Sequence, residues 1–147
     1  MWERGLFNVE GSKKVVIDTN LLVRYLINDD QKKAAAVDNL LDKAIKGEVR
    51  IIVPSVVIAE LVWVLESFYQ LEADTILELV EAIVNTSGID VTDKSTVVSA
   101  LRLYKNRNID FIDAWIIEFA KERCIKTIYT FDKKHFRDID GIEVTIL

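Results

Sequence analysis

The sequence predicts an α/β fold in which helices cover both faces of a mostly parallel sheet of about five strands. Two observations predict this class. Short β-branched runs alternate with longer segments of helical periodicity. No hairpin signal joins one run to the next, so helices have to connect the strands. One Pro and five Gly among 147 residues leave few places for a linker. We therefore expect a single domain over residues 14–147, preceded by an extension at residues 1–13.

The first part of the chain contains two predicted strands and four predicted helices. Residues 15–17 form a β-branched run typical of a buried strand, and helical spacing follows directly. A second helix over about residues 31–46 ends at Gly47, since glycine commonly terminates helices. Residues 50–53 predict the next strand, and Pro54 stands where a helix would begin. The two helices that follow are predicted at about 55–70 and 74–86.

The remaining residues repeat the alternation. Residues 88–91 predict a third strand, and helical spacing returns at about 94–107 and 111–123. Residues 127–129 and 143–146 predict the fourth and fifth strands. In open parallel sheets, ligands bind beyond the carboxyl ends of the strands. Functional side chains are therefore expected just after the strands.

The composition excludes several classes of protein. Nineteen Lys and Arg against twenty-four Asp and Glu give a formal charge of -5, which argues against a broad nucleic-acid-binding surface. The single cysteine, Cys124, excludes an intramolecular disulfide and a cysteine-based zinc site. The longest apolar run, residues 51–65, is interrupted by Pro54 and Glu60 and is shorter than the roughly 20 residues that a membrane span needs. The first residues lack the order of a signal peptide, so we expect a cytoplasmic protein without a membrane partner.

Two aspartates directly follow predicted strands. Asp18 ends the first strand and Asp132 lies just past the fourth, so both carboxylates are expected at the carboxyl edge of the sheet. Each has a simpler interpretation. Asp18 or Asn20 could cap the next helix, and Asp132 could cap a short helical turn at residues 133–135.

Three further acids lie on predicted helices. Glu60 is flanked at helical spacing by apolar residues, so its carboxylate is expected to need a compensating partner, unless that face is more exposed than the pattern suggests. Asp110 and Asp113 share one side of a helix's first turn, with Asp113 beside apolar positions. Both could instead be caps, Asp110 as the N-cap and Asp113 as part of a capping box.

A parallel sheet can bring these acids together. Clustered carboxylates repel one another, and a hard divalent cation relieves that repulsion. Ligands that are all oxygen favour Mg²⁺ or Mn²⁺ over Zn²⁺. Such ions commonly act on phosphate groups, where they activate water and neutralise developing charge. The residue types therefore indicate metal-dependent phosphoester hydrolysis.

Four short motifs resemble those of the PIN-domain family, in the family's order and over about residues 14–147. The motifs run from Val15 to Leu26, from Val57 to Glu60, from Ile109 to Ala114 and from Thr130 to Asp132. The resemblance implies a PIN-like α/β/α sandwich and a ribonuclease that uses one or two Mg²⁺ or Mn²⁺ ions. It implies a catalytic and metal-binding quartet, an additional acid at Asp110, and supporting roles for Asn20 and Thr130. The quartet consists of Asp18, Glu60, Asp113 and Asp132.

The length and simple architecture are most similar to those of VapC-type toxins. This resemblance implies an RNA substrate, a homodimer and a VapB-type antitoxin as partner. The extension at residues 1–13 departs from it, because family members usually begin almost directly with the first strand. One other function stays open, a PIN scaffold that binds or regulates without turnover. A response-regulator-like phosphoacceptor is disfavoured, because it would need adjacent acids near the first strand, where only Asp18 stands, and a lysine after the fifth strand.

Basic and aromatic residues have less specific patterns. Four basic side chains could contact RNA phosphates, although Lys and Arg on helix exteriors are more often simply solvated: Arg24, Lys133, Lys134 and Arg137. His135, the chain's one histidine, has no partner pattern for nucleophilic catalysis and is expected at the surface. The helical aromatic residues are expected in the core or at a dimer contact.

Overall fold

The computed structural model describes residues 12–147. Most of the predicted extension, residues 1–13, lies outside the described residues, and its last residue already belongs to the first strand. The chain divides into two compact units, Met1–Lys94 and Ser95–Leu147.

The described part of the first unit contains three strands and four helices. The strands pair in the order β1-β2-β3, and both pairings are parallel, with Val15 opposite Ile51 and Ile51 opposite Ile89. In chain order the elements are β1 (Lys13–Val16), α1 (Thr19–Ile27), α2 (Gln31–Ile45), β2 (Val49–Val53), α3 (Ser55–Ser67), α4 (Ala73–Val84) and β3 (Ile89–Val91).

Local chemistry explains where these helices begin. Asp18 and Asp30 are the N-caps of α1 and α2, and each carboxylate accepts a hydrogen bond from a backbone N–H of the first turn. Pro54 precedes α3, where its fixed φ suits a helix start. The central strand β2 buries Ile51 and Val53 completely. Apolar burial on this strand therefore holds the sheet against its helices.

One ion pair crosses the strands of this sheet. The Arg50 guanidinium on β2 donates through Nη2 to the Asp90 carboxylate on β3 at 2.5 Å, and through Nε at 2.9 Å. The two side chains are 22% and 14% exposed, so the pair is largely shielded from water. Removing one partner of a shielded ion pair leaves the other charge uncompensated, which lowers the stability of the fold.

We expect Asp90→Ala to lower the free energy of unfolding by about 2–3 kcal/mol, because it leaves the Arg50 charge unpaired in a partly buried site. Urea unfolding measures the change. The double variant Arg50→Met/Asp90→Ala removes both charges and should lose less than the single variant. A single variant within about 0.5 kcal/mol of the unaltered protein would contradict this role for the pair.

Gly88, just before β3, lies where only glycine fits. Its φ is +87°, and a Cβ at this position would stand 2.6 Å from the Ala44 carbonyl carbon and 2.8 Å from the Ala44 Cβ, with the Ala44 oxygen closer still. Its own carbonyl accepts a hydrogen bond from Ile51 N. The close approach of α2 to the entry of β3 thus requires the absence of a side chain.

The second unit contains two helices and two strands. Strands β4 and β5 pair in parallel, with Ile128 opposite Val144. The elements are α5 (Lys94–Arg107), α6 (Phe111–Glu122), β4 (Thr127–Thr130) and β5 (Glu143–Ile146). In the long connection between the strands, Phe136 and Ile139 are buried, and the Arg107 guanidinium donates to the backbone carbonyls of residues 137 and 138. Side-chain burial and this guanidinium contact both hold the connection in place.

The predicted α/β class, its five strands and its parallel pairing are confirmed, but the pairing differs in one respect. The strands form one sheet of three and one of two, where a single sheet of about five was expected.

Cys124 follows α6 in the left-handed region with φ 55°, and it is exposed. Within residues 12–147, no helix combines the length and hydropathy that crossing a membrane requires.

Candidate active site

Three carboxylates of the second unit converge on one imidazole. The Nδ1 atom of His135 is 2.6 Å from Asp113 Oδ2 and 3.2 Å from Asp132 Oδ2. Asp110 Oδ2 lies 4.0 Å from the same nitrogen. We call these four residues the Asp–His cluster. It combines two predicted quartet members with the predicted additional acid and a histidine expected elsewhere.

Helix α6 supplies Asp110 and Asp113. The helix begins at Phe111, and the buried side chains of Phe111, Ala114 and Ile117 fix which face is packed. Asp110 is the N-cap residue, but its side chain makes no capping hydrogen bond, so the simple cap interpretation does not account for this carboxylate.

The turn after β4 supplies Asp132 and His135. Thr130 Oγ1 accepts a hydrogen bond from Asp132 N at 2.9 Å, so the predicted supporting hydroxyl shapes this turn. Asp132 Oδ1 accepts from the backbone N–H groups of His135 and Lys134. The hydrogen bond from His135 N, followed by that from Lys134 N, lowers the pKa of Asp132 and favours its ionised form. The capping role proposed for Asp132 is therefore real, and it leaves Oδ2 directed toward the imidazole.

The expectation that His135 lies at the surface was wrong. Its side chain is 20% exposed and makes a hydrogen bond with Asp113. An ionised carboxylate only accepts hydrogen bonds, so Nδ1 is the donor in that state. The missed signal was spacing: His135 lies three residues after Asp132 in a predicted helical turn, which brings the two side chains together.

The donor set of this cluster suits a divalent ion. Asp110, Asp113 and His135 each offer one ligand atom, and these atoms lie within 4.8 Å of one another. Carboxylate oxygens suit Mg²⁺ and Mn²⁺, and an imidazole nitrogen suits transition metals. The residues present therefore fit an ion of the kind that the sequence predicts.

The first unit carries the other two predicted quartet acids. Asp18 is exposed and caps α1, with its Oδ1 accepting from Leu21 N at 3.2 Å. Glu60 on α3 is exposed as well, and it shares a helical face with Val56 and Trp63, which are 70% and 65% exposed. Of the two interpretations of Glu60, the structure shows the exposed face, because this side of α3 is open to solvent. Its carboxylate thus needs no buried counter-charge.

The remaining predicted residues are distributed over the two units. Arg24 on α1 donates to both carboxylate oxygens of Asp29, at 2.8 and 2.9 Å, and this contact raises the pKa of the guanidinium. That guanidinium already has an anionic partner, so a phosphate would have to compete with Asp29. Asn20 is exposed in the first turn of α1. The other predicted phosphate contacts are exposed beside or near His135: Lys133, Lys134 and Arg137.

The sequence matches a known family. The PIN domain family model matches residues 15–142, which is most of the chain. The chain belongs to the PIN-domain family. It is also similar to the VapC ribonuclease of Aquifex aeolicus (strain VF5), with 32% identity over 119 residues that cover 81% of this chain and 87% of the relative.

Proposed function

We propose that this chain is an endoribonuclease that depends on Mg²⁺ or Mn²⁺ and hydrolyses RNA phosphodiester bonds as the toxin of a type II toxin–antitoxin pair. The observation that carries the proposal is the convergence of Asp110, Asp113 and Asp132 within a PIN-family chain. The similarity to a VapC ribonuclease supports the choice of RNA.

In this proposal, Asp113, Asp132 and Asp110 hold one or two ions. The participation of Asp18 and Glu60 stays a prediction from the order of the motifs in the sequence. A bound ion would lower the pKa of water and neutralise developing charge on the phosphate. The carboxylates orient the attacking water, and one of them accepts its proton. Thr130 shapes the turn through its hydrogen bond from Asp132 N, and the backbone N–H groups of His135 and Lys134 lower the pKa of the Asp132 carboxyl.

The basic residues of the turn supply the proposed contacts to RNA. Lys133, Lys134 and Arg137 are exposed, and they follow Asp132 within five residues. Because the chain as a whole carries a charge of -5, local cations have to provide the attraction for a phosphate backbone. By family resemblance, we expect products with a 5′-phosphate and a 3′-hydroxyl.

The proposal includes a partner and an assembly. By resemblance to VapC-type toxins, we expect a VapB-type antitoxin to neutralise the chain in the cytoplasm, and the chain to form a homodimer. A small open reading frame directly upstream, encoding a DNA-binding protein, would support the toxin assignment. Size-exclusion chromatography with light scattering tests the dimer.

Metal binding is the first test, because it requires no knowledge of the RNA target. We expect saturating Mn²⁺ to raise the melting temperature of chelator-stripped protein by about 5–11 °C, which corresponds to about 2.7 kcal/mol at 100 times the dissociation constant. The variant Asp113→Asn, which loses a charged ligand, should show a much smaller rise. The matched control Asp140→Asn makes the same change at an exposed acid of the second unit and should respond like the unaltered protein.

The absence of a saturable rise in the unaltered protein would contradict the metal-dependent mechanism. The alternative function, a PIN scaffold that binds or regulates without turnover, would then be favoured. RNA binding without cleavage would distinguish that scaffold from an inactive preparation of the nuclease.

A further inference from the structure

We propose that His135 is a nitrogen ligand of the metal ion in the Asp–His cluster, so that the site selects Mn²⁺ or Co²⁺ over Mg²⁺. The inference rests on the proposed function, because it concerns the same ion. It adds a residue that the four acidic motifs do not contain, and it predicts which cation the site prefers.

The position of His135 Nδ1 among the carboxylates is the first support. Ligands at about 2.1 Å from an octahedral ion lie about 3 Å apart when they are adjacent and about 4 Å apart when they are opposite. Nδ1 is 2.6 Å from the Asp113 oxygen and 3.2 Å from the Asp132 oxygen, and 4.0 Å from that of Asp110. The Asp113 and Asp132 oxygens therefore lie near the positions adjacent to Nδ1 that an ion bound to this nitrogen would offer. Without an ion Nδ1 donates to Asp113, so an ion that binds Nδ1 displaces this proton to solvent.

The surroundings of His135 are the second support. Its backbone N–H donates to Asp132 Oδ1 at 3.1 Å, and the next residue, Phe136, is buried. Arg107 donates to the carbonyl groups of Arg137 and Asp138, so the segment is held on both sides of the imidazole. The side chain is 20% exposed, so most of the ring packs against protein. A ligand held in this way loses little conformational entropy when it binds an ion.

The chemistry of imidazole gives the expected selectivity. A site made only of carboxylates and water suits Mg²⁺, which strongly prefers oxygen ligands. Replacing one oxygen with an imidazole nitrogen favours transition-metal ions over Mg²⁺, and among them Co²⁺ over Mn²⁺. The neutral nitrogen also adds no further negative charge to three neighbouring carboxylates, whose mutual repulsion already disfavours a fourth. His135 therefore changes which ion binds best.

The composition of the chain makes a direct experiment available. His135 is its one histidine, so imidazole nitrogen coupling to bound Mn²⁺ identifies this residue once any histidine tag has been removed. We expect pulsed electron paramagnetic resonance of the Mn²⁺-loaded protein to show that coupling. His135→Asn, which places an oxygen or a nitrogen near the position of Nδ1, should lose the imidazole signal.

Calorimetric titration with each cation tests the selectivity. We expect His135→Asn to lower the ratio of Mn²⁺ to Mg²⁺ affinity by about ten- to a hundredfold, since changes around metal ligands have effects of this size. Lys126→Gln changes an exposed lysine just before β4, outside the cluster, and should leave the ratio unaltered. Thermal melts of the metal-free variants establish that both are folded.

The outcomes separate this inference from the proposed function. Saturable Mn²⁺ binding at the cluster without nitrogen coupling would overturn the role of His135 and leave the metal-dependent nuclease standing. Failure of Mn²⁺ to bind the unaltered protein would overturn both. The spectrum of the unaltered protein decides the question of ligation even if His135→Asn does not fold.

Discussion

Replacing Asp113 with Asn is expected to reduce RNA cleavage by about a thousandfold, which corresponds to a loss of about 4 kcal/mol of transition-state stabilisation. Asn has the shape of Asp but no charge, so it weakens both the hold on a cation and the orientation of the attacking water. The amide oxygen can still accept the hydrogen bond from His135, whose Nδ1 lies 2.6 Å from the present carboxylate. We therefore expect the metal-free variant to melt close to the unaltered protein.

Single-turnover cleavage of a mixed RNA pool, followed by mapping of new 5′-phosphate ends, measures this loss without a known target. Asp140→Asn, at an exposed acid outside the cluster, serves as the control and should retain full activity. Unreduced cleavage by Asp113→Asn would remove Asp113 from the catalytic set. Loss of structure in the metal-free melt would instead show that the carboxylate supports the fold.

Gly88→Ala should lower the free energy of unfolding by about 2–5 kcal/mol, more than Gly47→Ala. About 1–2 kcal/mol comes from holding alanine at a φ of +87°. The remainder comes from pushing apart two packed backbones, because overpacking typically costs about 1–3 kcal/mol. The carbonyl carbon of Ala44 would lie 2.6 Å from the new methyl carbon, and a backbone carbonyl cannot move aside as the end of a flexible side chain can.

Gly47→Ala is the matched control for this prediction. Gly47 also has a positive φ, +78°, but nothing lies within 4 Å of a Cβ built there. Only the backbone cost of about 1–2 kcal/mol then applies. Chemical denaturation of both variants measures the difference between them. Equal losses would show that α2 moves away from β3 at little cost.

Periodicity and turn chemistry predicted the elements of the fold accurately. The helix predicted at 31–46 is Gln31–Ile45, and the strand predicted at 143–146 is Glu143–Ile146. The pairing of strands was predicted less well, because hydrophobic runs show which segments are buried strands but do not show which partner each one takes. The hydrophobic runs therefore could not show that the strands form one sheet of three and another of two.

The candidate site was predicted in part, for similar reasons. The spacing of Asp110 and Asp113 in the sequence indicated that they share a helical turn, and both contribute to the cluster. The position of His135 depends on a tertiary arrangement, in which the turn after β4 approaches the start of α6. For Glu60 the sequence left burial and exposure open, because an apolar helix face does not have to be a buried one. Val56 and Trp63 make that face apolar and leave it open to solvent.

The capping hydrogen bonds of Asp18 and Asp132 have an evolutionary consequence. In both residues one carboxylate oxygen holds backbone N–H groups, so selection for folding alone would keep Asp, Asn, Ser or Thr at these positions. The carboxylate of Asp113 contacts a side chain instead. In a descendant that drifts away from nuclease activity, Asp113 should therefore be replaced early, while Asp18 and Asp132 persist. Position 113 would then distinguish active from inactive descendants of this chain better than the two strand-end aspartates.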